Sequence, residues 1–279
     1  MEFKDKTVVI TGGSEGVGAA TARAFASVGA NLLLVARNKR KLETIAEELR
    51  GKTRVEIFVM DVADADACAT LLKKAQFEFG SIHVLVNNAG YHKRGRVENI
   101  NAADLGQMID INLKAPIILC RLVLPYIRQS GGGAIINVGS LAGRAPVPGM
   151  AAYSASKFGL RAFTFALADE VADENLKLAV VSPGPIDTGF IMDSLDAAVD
   201  LNFSQPISTA DEVAREILIL CSNSKRERSM PPISGLLATL TYLFPWIGRI
   251  VRPLLEQKGR AVKRRLIAEK HRKIRHDAR

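Results

Sequence analysis

Thr7-Val8-Val9-Ile10-Thr11-Gly12-Gly13-Ser14-Glu15-Gly16-Val17-Gly18 decides how this chain is read: an apolar run, a glycine-rich turn, then residues with helical spacing. Glycines in such a turn let backbone approach a pyrophosphate. The helix N-terminus behind them offers free N–H groups and a favourable dipole. Elsewhere a glycine turn serves only to reverse the chain; after a first strand and opening a first helix it has the context of a dinucleotide-binding turn. Gly12, Ser14, Glu15, Gly16, Val17 and Gly18 are therefore candidate cofactor contacts.

Outward from this stretch, short apolar runs alternate with helical patterns. Thr7–Ile10, Asn31–Val35, Val55–Met60, Val84–Val86, Ala134–Val138 and Leu178–Val181 read as buried strands. Val17–Val28, Lys39–Arg50, Ala65–Phe79, Ala103–Arg128 with a break near Asn112, and Ala151–Val171 read as helices. Continuous apolar strands separated by helices predict a parallel sheet covered on both faces, an α/β doubly wound (Rossmann) architecture with ligands at the carboxyl ends of the strands. A further helix is predicted over Thr209–Cys221 with Ser208 in its cap region, and a last short strand near Arg226–Met230. The character changes near residue 230, which divides a catalytic domain, 1–230, from a C-terminal helical basic extension, 231–279.

The second strand ends Val35-Ala36-Arg37-Asn38. An acidic residue at that strand end binds the ribose 2′-hydroxyl of NAD, whereas an arginine accommodates the 2′-phosphate of NADP. Arg37 stands there, with Ser14 and Asn38 as further donors, so the cofactor is read as NADP(H), with NAD(H) as the alternative. The other reading of Arg37 is a solvated loop residue.

Tyr153 and Lys157 lie four apart in a predicted helix, on one face. A nearby ammonium favours a phenolate, which is expected to lower the tyrosine pKa toward working pH and to make Tyr153 a proton donor or acceptor for a carbonyl–alcohol pair. Tyr-x-x-x-Lys alone is common by chance and usually structural. Ser140, ending the strand Ala134–Val138, adds a group able to hold the substrate oxygen.

With these residues in view the chain resembles the short-chain dehydrogenases/reductases over roughly residues 5–220. The family's Thr-Gly-x-x-x-Gly-x-Gly is met by Thr11, Gly12, Gly16 and Gly18, and its adenine-side Asp-Val by Asp61-Val62. Asn87-Asn88-Ala89-Gly90 and Pro183-Gly184-Pro185-Ile186-Asp187-Thr188 match two further motifs, and the catalytic Asn-Ser-Tyr-Lys set falls on Asn112, Ser140, Tyr153 and Lys157. The resemblance implies Tyr153 as general acid/base, Ser140 on the substrate oxygen, Lys157 on the nicotinamide ribose, and Asn112 supporting a proton-relaying water. It implies Asp61, Val62, Asn88, Ala89, Gly90, Pro183 and Gly184 around the cofactor, with Thr188 and the Ile186 backbone on the carboxamide. Asp61 also reads as a cap or turn residue. The Val-Asp-Gly-Gly end of many soluble members is absent, which leaves a homodimer through the helices carrying Asn112–Arg128 and Ala151–Val171 as the expectation, with a tetramer as the alternative.

Composition sets the remaining bounds. The 279 residues are 48% hydrophobic and 24% charged, ordinary for a folded soluble chain. The polar start Met1–Lys6 lacks the pattern of a secretory signal, so the expected location is the cytoplasm, with its membrane surface as the alternative. Cys68, Cys120 and Cys221 read as buried small hydrophobes. His83, His92, His271 and His276 lack metal-ligand spacing and read as satisfied or solvated, and no metal is expected. Lys93, Arg94 and Arg96 read as a solvated rim, or else as a reader of an acidic substrate group. Phe190, Ile191, Met192, Leu195 and Phe203 suggest an apolar substrate pocket and a hydrophobic, lipid- or steroid-like substrate.

Charge is uneven. The whole chain is +9, yet residues 1–224 carry 23 basic and 25 acidic residues (−2) and residues 225–279 carry 15 and 4 (+11). The apolar run Ile233–Ile247, broken by Pro245, is shorter than the ~20 residues of a spanning helix. Ahead of the basic stretch Lys258–Arg275 it reads as a lid or dimer arm on the body, or as a peripheral membrane contact; nucleic acid has only charge in its favour. Besides an oxidoreductase of hydrophobic substrates, the sequence leaves a soluble 3-oxoacyl carrier-protein reductase and a non-catalytic NADP-binding scaffold or sensor as alternatives.

Overall fold

A computed structural model describes residues 2–172, 174–192 and 199–277, with the side chains of 191, 192, 202 and 269–277 outside the description. Seven strands form one sheet: β1 (Thr7–Thr11), β2 (Asn31–Ala36), β3 (Val55–Val59), β4 (Val84–Asn87), β5 (Gly133–Val138), β6 (Leu176–Pro183) and β7 (Glu227–Met230). Every adjacent pair is parallel, in the order β3-β2-β1-β4-β5-β6-β7. The order reverses between β1 and β4, so a crevice opens at the carboxyl ends of these strands.

The helices are α1 (Gly16–Ser27), α2 (Lys39–Arg50), α3 (Ala65–Phe79), α4 (Ala102–Ile109), α5 (Ala115–Gln129), α6 (Ala151–Glu170), α7 (Gly189–Met192), α8 (Ala210–Leu220), α9 (Pro232–Leu243) and α10 (Pro245–Asp277). Successive strand residues point to opposite faces, so the apolar runs feed two cores. Val8, Ile10, Leu32 and Leu34 pack under α1, α2 and α8, while Val9, Leu33, Leu85 and Ile135 pack under α3, α5 and α6. The three cysteines are buried and unbridged.

Local chemistry sets the ends of the elements. Asp64 caps α3 through Ala67 N at 3.1 Å. Thr209, rather than Ser208, caps α8, in a reciprocal box with Glu212 that contributes about 1 kcal/mol. The break expected near Asn112 is a π-helical turn, Asp110–Lys114, set between α4 and α5. Such turns insert one residue and re-aim a side chain, a frequent device at functional sites.

The C-terminal helices lie against the body. Gly259 of α10 sits so close to the 3-10 turn Asp200–Ser204 that a Cβ there would overlap the carbonyl oxygen of Asp200. Arg260 donates to Asp200 at 3.1 Å, and Phe203 is buried against Val262, Leu266 and Ile267. Phe203 therefore seats α10 and does not line the substrate cavity, as its sequence position suggested. Leu195 lies outside the described residues, as do the side chains of Ile191, Met192, His271 and His276.

Candidate active site

One cavity of about 1100 Å³ opens at the carboxyl ends of β1, β4, β5 and β6. Every cofactor-binding and catalytic residue predicted from the sequence lines it except Gly18 and Asn112; of the residues read as an apolar substrate pocket, Phe190 lines it and Phe203 does not. Gly18 is a packing glycine: a Cβ there would overlap the carbonyl oxygen of Gly12 and prevent α1 from closing under the turn. Asn112 is fully buried behind the cavity wall, where its Oδ1 accepts from Tyr91 N and its Nδ2 donates to Tyr91 O, both at 2.8 Å.

At one end the glycine turn fits a dinucleotide. Gly12 has φ +66° and Gly16 φ +54°, a region open to glycine. A side chain at Gly12 would stand 2.7 Å from Asn88 Nδ2 and fill the cradle. Thr11 Oγ1 accepts from the N–H groups of Asn88 and Ala89 at 3.0 Å each, and Asn88 Nδ2 donates to Thr11 O at 2.9 Å. These bonds hold the loop after β4 against the turn after β1. Thr188 stands across from Gly16.

Two ion pairs stand at the end of β2 and the start of α2. Arg37 lies 3.7 Å from Asp61 in a loose, exposed pair. Lys41, one turn into α2, holds the Glu15 carboxylate at 2.6 Å, so this acid in the glycine turn is neutralised by a neighbour. Lys41 escaped the sequence reading; its place four residues after Arg37, on the first turn of the helix, was the available signal. Asn38 spends its side-chain oxygen capping α2 through Lys41 N at 3.0 Å. Asp61 both makes a turn, accepting from Ala63 N at 3.0 Å, and faces the cavity.

At the other end Ser140, Tyr153 and Lys157 come together. Ser140 caps the short turn after β5, accepting from Ala142 N at 3.1 Å, and hydrogen-bonds the Tyr153 side chain. Lys157 Nζ donates to Val138 O at 2.8 Å and stands 5.8 Å from the Tyr153 ring centre. Burial pushes the Lys157 ammonium down to about 8. The expected lowering of Tyr153 by Lys157 is overturned. Burial dominates and raises the phenol above its ordinary value, and the smaller opposing pull comes from the Ser140 hydrogen bond and the charge of Arg94. A phenol held above its ordinary value is protonated at neutral pH and can donate a proton.

The loop after β4 also departs from expectation, at His92 and Arg94. His92 is neither solvated nor satisfied: it stacks on Tyr153 with ring centres 4.1 Å apart, its Nε2 is buried without a hydrogen-bond partner, and burial pushes it down to about 3. Arg94, read as a rim residue, reaches inward, lines the cavity and donates to Phe190 O at 3.2 Å. Gln205 also lines the cavity with its Oε1 buried and unpartnered. His83 is satisfied, accepting from Thr7 N at 3.1 Å. The side of the cavity away from the sheet is closed by residues no motif could have indicated: Leu237, Ala238 and Thr241 of α9, and Val251 and Leu255 of α10.

This arrangement defines a protein that holds a dinucleotide and presents a buried tyrosine, serine and lysine beside it. Comparison with known proteins gives the same class: the family model described as short chain dehydrogenase matches residues 6–216. The chain belongs to the short-chain dehydrogenases/reductases. It is 38% identical over 187 residues to an uncharacterized oxidoreductase of Staphylococcus saprophyticus, covering 66% of this chain and 76% of that one. It is 32% identical to a 3-oxoacyl-(acyl-carrier-protein) reductase of Thermotoga maritima, over 80% of this chain and 93% of the relative. With dehydrogenase/reductase SDR family member 7B of Mus musculus it shares 31% identity over 81% and 73% of the two chains. The chain is thus an oxidoreductase of the NAD(P)(H)-using kind, acting on CH–OH or carbonyl groups.

Proposed function

We propose that the protein is an NADP(H)-dependent reductase of a hydrophobic carbonyl compound, working as a homodimer through α5 and α6. The observation that carries the reading is the single cavity joining the Arg37–Lys41 corner, the Tyr153–Ser140 pair and the apolar wall of α9 and α10. NADPH, when bound, supplies the hydride for the carbonyl carbon.

The chain's own residues do the rest. Arg37 and Lys41 offer two cations to a 2′-phosphate, with Ser14 as an added donor. The glycine turn and the N-terminus of α1 receive the pyrophosphate. Asp61 and Val62 flank the adenine, and Ala89 and Gly90 form the floor. Pro183, Gly184, Ile186 and Thr188 border the nicotinamide end. Ser140 donates a hydrogen bond to the substrate oxygen, and Tyr153, kept protonated by burial, gives that oxygen its proton. Lys157 binds the ribose and, with Asn112 behind it, returns a proton to Tyr153. The raised Tyr153 suits reduction, since the acid form is the resting form at neutral pH.

The likeness to a carrier-protein reductase supports a second reading, a 3-oxoacyl thioester as substrate. Paired fluorescence titrations with NADPH and NADH, on wild type and Arg37→Glu, test the cofactor assignment. NADPH preference in the wild type, lost or reversed in the variant, is expected. Equal affinities, or an NADH preference that the variant leaves untouched, would sink it. Rates on long-chain ketones against carrier-bound 3-oxoacyl thioesters separate the two substrates.

A further inference from the structure

A helix on a globular protein normally turns its large apolar residues inward. In α9 the arrangement is reversed. Ser234 and Gly235 are buried against the body, and Arg144 donates to the Gly235 carbonyl and to Thr239 Oγ1 at 2.8 and 2.9 Å. Ile233, Leu236, Leu237 and Leu243 face outward. In α10, Trp246, Ile250 and Leu254 stand at steps of four and are 58%, 66% and 67% exposed. Both helices thus expose large apolar side chains, and apolar surface of this kind marks a face that is covered in use. No helix among the described residues is long and apolar enough to cross a membrane.

The same face carries the chain's positive charge. Lys258 continues the Trp246–Ile250–Leu254 ridge at the next step of four, and Arg249 and Arg264 are exposed beside it. A second copy docked face to face would bring two +11 segments together. An anionic bilayer reverses the sign of that interaction. The face is also the mouth of the active-site cavity: Ile233 and Leu237 are at once outward-facing and part of its lining, with Arg249 and Lys258 at the rim.

We propose that α9 and α10 dock on an anionic lipid surface and that the substrate, a long-chain amphiphile bearing a carbonyl, slides from the bilayer between them into the cavity. The proposal rests on the reductase reading above for its chemistry. Its geometry follows the interfacial mode, in which apolar side chains enter the acyl boundary and basic ones stay with the headgroups.

Trp246 is the chain's single tryptophan and stands on this ridge, so its emission reports docking without a label. Full-length protein is mixed with vesicles of phosphatidylcholine and phosphatidylglycerol in equal parts, or of phosphatidylcholine alone. A blue shift with the anionic vesicles, weakened by salt, is expected. In Leu236→Glu/Ile250→Glu, whose sites lie outside the cavity lining, the shift disappears. Its kcat/KM on a vesicle-embedded long-chain ketone falls about tenfold or more, while that on a short water-soluble ketone is unchanged.

Absence of both the shift and vesicle co-sedimentation in the wild type overturns the proposal. So does emission that is already blue-shifted in a concentration-dependent dimer that the variant dissolves, which would make this face an interface between copies. Equal loss on both ketones overturns the access route. If the wild type reduces no ketone in either form, the reductase reading fails, and the emission still decides the docking.

Discussion

His92 shows how one side chain turns from loop residue to part of a site. Two residues after Gly90, it lies flat on the Tyr153 ring, and its imidazole stays neutral to about pH 3 because burial and the charges of Arg94 and Lys157 oppose protonation. In the unfolded chain it titrates near its ordinary 6.5. Its folded pKa is depressed, so the unfolded state takes up the proton first on acidification. The folded state then loses up to about 1.4 kcal/mol per pH unit as pH falls from 6.5 toward 3. His92→Phe keeps the stack and removes the titration. The gap in thermal midpoint between variant and wild type is expected to move steadily in the variant's favour from pH 7 to pH 4. Curves that stay parallel would show that the imidazole is hydrated and titrates normally. The loop's internal geometry was illegible in the sequence, because a stack between residues 61 apart leaves no periodic trace. Tyr153 and Lys157 were legible as a pair, but the sign of the Tyr153 shift was not, since it depends on how much water the packing excludes.

Between elements, Glu227 of β7 is the principal tie. Its carboxylate receives Arg144 at 2.6 Å, Arg161 at 2.9 Å and Ser182 Oγ at 2.8 Å, and these bonds outweigh burial to hold it down at about 2. Arg144 goes on to α9, so β7, α6, the turn after Ser140 and α9 are tied through one carboxylate. Glu227→Ala leaves two half-buried guanidinium groups without their counter-charge. It is expected to cost about 3–5 kcal/mol in urea unfolding. Because the folded pKa is depressed, this stabilisation is present above the ordinary carboxylate range and lost as pH falls toward 2. A loss under about 1 kcal/mol would mean that Arg144 and Arg161 find water instead.

Gly259 is the corresponding contact for α10. Glycine inside a helix costs about 1 kcal/mol against alanine, so on propensity alone a replacement strengthens the helix. Gly259→Leu nevertheless cannot keep its place over Asp200. Faster proteolytic cleavage within 245–277 and a raised KM for apolar ketones are expected; an unchanged cleavage rate would show α10 seated by its ion pairs alone. The strands and helices of the body were legible because each apolar run or 3.6-residue pattern is local. Even the interruption at Asn112 showed. The inverted face of α9 was not, since Ile233–Ile247 is simply apolar as a string and only its partners reveal which side is free.

Over the whole molecule, a parallel sheet places a glycine turn, the Arg37–Lys41 corner and a buried tyrosine along one crevice, and a basic extension walls that crevice and carries its mouth outward. The family was legible from motifs that fall at strand ends. The substrate side was not, because α9, α10, Arg94 and Gln205 meet there from distant parts of the chain. The central claim is that Tyr153 delivers the proton in a nicotinamide-dependent reduction within this cavity. Its most direct test is NADPH oxidation at saturating cofactor with a panel of long-chain ketones, for wild type and Tyr153→Phe, alongside NADPH affinity. A rate lowered about a hundredfold or more, with affinity unchanged, is the expected result. A variant that turns over at the wild-type rate would contradict the account.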